Sequence, residues 1–448
     1  MKVRVVTLLL FTLLSFPSLR AQGDANLKRL TDAISAINEN QLTQGETLLR
    51  AVLAESPNDP DALNLLGVIR AKQSRAAEAE RLFRRALASS PSHLSAHINL
   101  GELFLTTNRP AQALQVLLQA HKLSPDRPDV NLNLATLYAG KGNYQLALDH
   151  LAVANQKNPN SFQTLYTLGV ISATQKQYDK AEEYLSAALA LKPDDIATLR
   201  ALARAARFAG KLEKSLSHLV HARRLAPKDP GVLYDFGVTA LEMDLFLDAL
   251  PVFQQLHREY PREPAYLYAL AAVHWRKGET VETTRLMNTY VARQPRDAAG
   301  FYLLGAALLR QGSFAEARKA LERSLSLKQE PETEYLLGLS LEKLGNRARA
   351  IELFRNVIRQ RPEHAAAFSA LGSAYREAGN FTAARTALER AVSLDANDLR
   401  ANYQLGLVYA KLGDSEAAKR MFARADDLRG QQRNQESVVL KLIDPPQN

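Results

Sequence analysis

Along most of the chain, apolar positions fall three and four residues apart, in stretches of about a dozen residues separated by short polar turns. That spacing predicts amphipathic helices, each burying one stripe. In "FAEARKALERSL" the stripe is Ala317, Leu321 and Ser324, and in "RARAIELFRNVI" it is Ala350, Phe354 and Val357. A second kind of helix precedes each of these, marked by a large apolar residue beside a very small one, as in Leu304 and Gly305. The small residue lets its partner helix approach closely. Gly312, Gly345, Gly379 and Gly413 fall in the turns between paired helices, where a residue without a Cβ takes a left-handed conformation at little cost. Proline then closes the pair, because it cannot continue the backbone hydrogen bonds.

The pairs recur in register. The small residue appears at Gly67, Gly101, Ala135, Gly169, Ala203, Gly237, Ala271 and Gly305, successive members lying 34 residues apart. The series resumes at Gly338, Gly372 and Gly406, after a one-residue deletion before Gly338. A second block follows each, as in "AERLFRRAL", "AEEYLSAAL" and "ARTALERAV", and most pairs close on proline, from Pro57, Pro91 and Pro125 to Pro295 and Pro362. In period, small residue, alanine and closing proline the chain resembles the tetratricopeptide repeat family. The resemblance covers about nine tenths of the chain, with repeats starting near 26, 60, 94, 128, 162, 196, 230, 264, 298, 331, 365 and 399. The first repeat is weaker, keeping Ala33, Gly45, Leu49 and Pro57 at the matching places. It implies an all-α fold, a right-handed α-solenoid of about twelve helix–turn–helix repeats spanning residues 22–430. One helix pair cannot bury its apolar face alone, whereas stacked pairs can, so such a chain has no single core.

The two ends read differently. "MKVRVVTLLLFTLLSFPSLRAQG" has a basic start at Lys2 and Arg4, an apolar run from Val5 to Phe16, Pro17, and a small Ala21 where a signal peptidase would cut. The run is about a dozen residues, against the roughly 20 needed to span a bilayer. Residues 1–21 are therefore expected to be an export signal, with a retained N-terminal membrane anchor as the alternative. No transmembrane span is expected after its removal, and the protein is expected to be periplasmic or secreted. The tail 431–448, containing "VVLKLI", is expected to cap the last repeat or to engage a partner.

Composition narrows the chemistry. The 448 residues include no cysteine, which excludes disulfides, thiolate metal sites, cysteine nucleophiles and a lipid-modified cysteine at the cut. The formal charge of +10 falls to about +7 without Lys2, Arg4 and Arg20, and the basic residues alternate with acids, so nucleic acid is not an expected partner. His218 and His221 in "HLVH" have zinc-ligand spacing but no third ligand is legible. No nucleophile–base pair and no phosphate-binding glycine loop is readable. The chain is expected to be non-enzymatic, with no cofactor and no metal.

The resemblance also implies which residues line the concave side. They are the residue three before each small residue, the one after it, and the one four after it. The first of these positions reads Asn64, Ile98, Leu132, Tyr166, Arg200, Tyr234, Tyr268, Tyr302, Tyr335, Ser369 and Tyr403. Arg200 interrupts a tyrosine series, and in "ATLRALARAARFAGK" Arg200, Arg204 and Arg207 fill all three inward positions of one helix. Tyrosine supplies apolar area at low entropy cost plus a hydroxyl, and arginine a planar fork for carboxylates. Such a groove suits protein partners, in particular peptide segments with acidic side chains or a free C-terminus. Two alternatives stand beside that reading. Asp235 and Glu242 of the next repeat offer the arginines internal partners, and the tyrosines equally suit polysaccharide, as in an accessory of exopolysaccharide secretion. One repeat, 264–297, departs from the pattern with Thr283, Met287 and Tyr290, and is expected to be a bend or weak interface.

Overall fold

The computed structural model describes residues 24–431; residues 1–21, expected to be an export signal, and the tail beyond Gln431 lie outside the described residues. The chain divides into two compact units, one ending at Ala226 and the other beginning at Pro227. The N-terminal unit holds six helix pairs: α1 (Asp24–Asn38) with α2 (Leu42–Glu55), α3 (Pro60–Lys72) with α4 (Ala76–Ser89), and α5 (Leu94–Thr106) with α6 (Pro110–Leu123). It continues with α7 (Pro128–Gly140) and α8 (Tyr144–Lys157), α9 (Phe162–Thr174) and α10 (Tyr178–Leu191), and α11 (Ile196–Phe208) and α12 (Leu212–Leu225). The C-terminal unit begins with α13 (Pro230–Glu242) and α14 (Phe246–Glu259), α15 (Pro264–Arg276) and α16 (Thr280–Arg293), and α17 (Ala298–Arg310) and α18 (Phe314–Leu327). It ends with α19 (Pro331–Lys343) and α20 (Arg347–Gln360), α21 (Ala365–Glu377) and α22 (Phe381–Leu394), and α23 (Leu399–Leu412) and α24 (Ser415–Gln431). Among the described residues every regular element is a helix. Within each unit a helix packs on the one before and the one after it, and the first helices of neighbouring pairs touch, as α3 touches α5 and α19 touches α21. This is the all-α solenoid arrangement.

Local chemistry explains the boundaries. Asp59, Asp195, Asp229 and Asp398 precede first helices, and each carboxylate accepts a hydrogen bond from a backbone N–H in the first turn, at 2.8–2.9 Å. Such caps satisfy otherwise orphaned donors and are worth about 1 kcal/mol each. The turn residue is left-handed in both classes: Gly312, Gly345, Gly379 and Gly413 have φ of 79°, 81°, 77° and 84°, while Ser74 and Lys176 sit at 60° and 61° without being glycine.

The close approach is literal. A Cβ on Gly338 would lie 2.4 Å from the Phe354 ring, and one on Gly67 would lie 2.6 Å from that of Phe83. The bulky residue sixteen positions on fills the space that the small residue leaves. Phe83, Phe253 and Phe354 are fully buried there.

The 264–297 repeat is well packed, which corrects the expectation of a weak interface. Tyr290, in place of the usual small residue, is 4% exposed. Its hydroxyl donates to Asp297 Oδ2 at 2.6 Å, and its ring meets Tyr268 edge-on at 5.3 Å. The next helix supplies the room, since Gly300 has no Cβ to strike the ring. The deletion before Gly338 shortens the link between α18 and α19 to residues 328–330. Stacking survives it: Ser340 Oγ donates to the Phe314 carbonyl at 2.7 Å, and α17 still packs on α19.

Candidate binding surface

In the N-terminal unit the arginine stripe lies on α11. Leu199, Leu202, Ala203 and Ala206 bury one side of that helix, which leaves Arg200, Arg204 and Arg207 half-buried on another. Arg200 and Arg204 act on the Tyr166 hydroxyl of α9; burial and Asp195 push that hydroxyl's pKa up, and the two guanidiniums oppose them. Tyr166, Arg200 and Arg204 therefore form one neighbourhood across consecutive first helices. Arg207 holds its guanidinium 4.4 Å from the centre of the Phe208 ring, which is 49% exposed and stacks on Tyr178 at 6.1 Å. The nearby acids Asp179 and Glu182 are taken by lysines: Lys211 meets both at 2.9 Å and Lys214 meets Glu182 at 2.7 Å. Those two ammonium groups hold the Glu182 carboxyl down at about 2. The surface around Tyr166 is basic and aromatic-edged.

The same unit carries a polar seam that sequence reasoning passed over. Asn99 on α5, fully buried, donates to Asn64 Oδ1 on α3 at 2.9 Å. Glu102, one residue after Gly101 and so at an inward position, is 8% exposed. Burial pushes its carboxyl up to about 8 and Asp129 adds to that, while a hydrogen bond with Asn133 of α7 and the charge of Arg127 oppose it. The available signal was a lone carboxylate inside the apolar run "INLGELFL".

In the C-terminal unit the inward tyrosines lean on their own repeats. Tyr234 meets Phe253 at 5.9 Å, Tyr335 meets Phe354 at 6.1 Å and Tyr403 meets Phe422 at 5.6 Å, each partner nineteen residues on in the second helix. Tyr268 is 9% exposed against Tyr290, and burial raises its hydroxyl pKa. Tyr302 is half-buried, its hydroxyl raised by burial and then by Glu332 and Glu330. Burial pushes Tyr335 up to about 12, and its ring also touches that of His364 at 5.1 Å. Tyr403 is 40% exposed. The series thus packs first and presents surface second. Further along, at the corresponding positions, Glu342 on α19 is half-buried and Ser369 and Ser373 on α21 are buried.

His218 and His221 do not converge on a metal site: His221 meets Asp194 at 3.1 Å, and burial lowers His218. Among the described residues no three histidine, aspartate or glutamate side chains are grouped to hold a metal, and no helix is long and apolar enough to cross a membrane.

Two family profiles cover this array. The "Cilia and flagella-associated protein 70 C-terminal domain" profile matches residues 25–255, and the "Tetratricopeptide repeat" profile matches 234–282, 285–330, 335–399 and 369–433. No curated protein matches the chain. Among solved structures, the APC/C hetero-tetramer Cut9–Hcn1 is 15% identical over 91% of this chain and 96% of that one, with a TM-score of 0.47. PilF of Pseudomonas aeruginosa is 20% identical over 49% of this chain and 97% of its own, with a TM-score of 0.44. A tetratricopeptide repeat protein of Parabacteroides merdae is 16% identical over 56% of this chain and 99% of its own, at 0.41.

Proposed function

We propose that this chain, which belongs to the tetratricopeptide repeat family, is a non-catalytic scaffold that holds segments of partner proteins on the inward face of its repeats. Neither matching family profile describes an enzyme. The observation that carries the reading is the half-buried row of Arg200, Arg204 and Arg207 on α11, with the Tyr166 hydroxyl beside the first two. Guanidinium forks in a partly dry setting bind carboxylates more strongly than exposed lysines do. The partner segment is accordingly acidic, or ends in a free C-terminus. The leader-like residues 1–21 support export, so the scaffold works in the periplasm or outside the cell, in assembly of envelope complexes.

A second reading, binding of an exported polysaccharide, draws on the inward tyrosines, of which Tyr403 offers the most ring surface. Salt distinguishes the two. Capture of an acidic peptide through Arg200, Arg204 and Arg207 weakens steadily as ionic strength rises, because the Debye length shrinks from about 10 Å at 0.1 M to 3 Å at 1 M. Stacking of sugar rings on tyrosine does not. Titrating the chain with an acidic peptide and with an oligosaccharide, each at low and high salt, tests the assignment. Salt-insensitive binding of the sugar alone would overturn it.

A further inference from the structure

The polar seam of the N-terminal unit is incomplete. Two pairings cross it, Asn99 to Asn64 between α5 and α3, and Glu102 to Asn133 between α5 and α7. Each leaves an acceptor over: Asn99 Oδ1 and Glu102 Oε2 are buried and have no hydrogen-bond partner. Asn99 and Glu102 are three residues apart on one helix and share a face. An unpaired buried acceptor has lost its hydration with nothing in return, so a donor arriving there is favoured.

The charges around Glu102 say what kind of donor fits. Asp129 and Arg127, at the start of α7, are the charged groups acting on it, and Arg127 spends its Nε on Asp129 at 2.9 and 3.1 Å. The hydrogen-bonding groups that α3 and α7 bring to the seam are the neutral amides of Asn64 and Asn133, and Arg127 Nη2 is buried without a hydrogen-bond partner rather than bonded to Glu102. A comparable inward carboxylate in the C-terminal unit, Glu342, has a guanidinium of its own chain at hand, with Arg400 Nη2 3.9 Å from its Oε2. Glu102 has none in ion-pair contact with it.

We propose that Glu102, with Asn99 and Asn133 beside it, is a receptor for one cationic side chain, a lysine or arginine, of a partner protein bound to the N-terminal unit. The ammonium or guanidinium pairs with the Glu102 carboxylate, which keeps 8% of its residue surface exposed, while Asn99, fully enclosed, holds Asn64 beside it. This rests on the reading of the inward face as a partner-binding surface. It adds that the segment recognised by this unit carries a basic residue as well as the acidic group that the α11 arginines take. The receptor couples to pH: a carboxyl lifted to about 8 is mostly protonated at pH 7, and a bound cation requires it ionised, so binding expels a proton.

The test is calorimetric titration of the whole chain with a glycine-spaced lysine peptide, and with the same peptide carrying glutamine for lysine. Run at pH 7 in two buffers of different ionisation enthalpy, the parent chain binds the lysine peptide and releases about one proton per site. Glu102→Gln weakens it about tenfold or more and abolishes the release, while the glutamine peptide binds neither protein. Equal affinity for parent and Glu102→Gln, or binding without proton release, overturns the proposal. A parallel titration with an acidic peptide, against the parent and the variant with Arg200, Arg204 and Arg207 all changed to Glu, reads the scaffold assignment separately. Its failure would leave the lysine result to stand or fall by itself. Glutamine is isosteric with glutamate, and the proton count on the unaltered chain requires no variant to fold.

Discussion

Gly300 and Tyr290 share one volume: a Cβ on the glycine would stand 2.6 Å from Cε1 of the tyrosine ring. The repeat that departs most from the pattern is thus completed by its neighbour, with Tyr290 filling the space and Asp297 accepting its hydroxyl at 2.6 Å. Gly300→Ala is expected to destabilise the C-terminal unit by roughly 1–3 kcal/mol through overpacking. The same change in a Tyr290→Ala background costs much less, because the ring it would strike is gone. Urea midpoints of the four proteins measure the coupling, and simple additivity would refute the shared-volume account.

Lys176 ends the turn after α9 with φ of 61°, a conformation that glycine adopts freely and a long side chain does not. Gly210 occupies the matching turn after α11 at 76°. Lys176→Gly is expected to stabilise the N-terminal unit by about 0.5–1 kcal/mol, after allowing for the greater freedom of glycine in the unfolded chain. Thermal melts followed by circular dichroism check the sign; a lowered midpoint would contradict it.

The pH dependence follows from Glu102. Its folded-state pKa is raised to about 8 by burial, above the usual glutamate value of 4.5. The folded state therefore binds the proton more tightly than the unfolded state does. This stabilising contribution is full below pH 4.5, is lost as pH rises toward 8, and changes no further beyond it. Glu46 has the opposite sign: Arg70 and Arg50 hold it at about 2, so its contribution is present above 4.5 and lost as pH falls toward 2. Melts of the parent and Glu102→Gln between pH 5 and 8 should show a steeper decline in the parent. Parallel curves would show that the carboxyl does not titrate in that window.

The fold was legible because each repeat states its own packing rule. Gly305 and Leu321, or Gly338 and Phe354, announce a close approach sixteen residues apart, and the left-handed turns at Gly312 and Gly345 mark where the chain reverses. Less was legible where two repeats solve a problem jointly. Tyr290 looks like a defect until Gly300, in the next repeat, is set against it. Glu102 looks like an ordinary surface acid until Asn133 of the following helix closes over it. The repeat register marked the tyrosine positions but not how open each ring lies: Tyr268 and Tyr403 both meet a ring of their second helix, at 5.3 and 5.6 Å, yet they are 9% and 40% exposed.

The arginine row on α11 is the central claim, and charge reversal tests it most directly. The bait is the chain with its Arg200, Arg204 and Arg207, compared with a variant carrying Arg200→Glu, Arg204→Glu and Arg207→Glu, each crosslinked in the envelope fraction of the source cell. The account predicts that a partner captured by the parent is lost with the variant while circular dichroism reports equal helicity. Recovery of the same partners with both would contradict it, and would make the three arginines a solvated flank of α11.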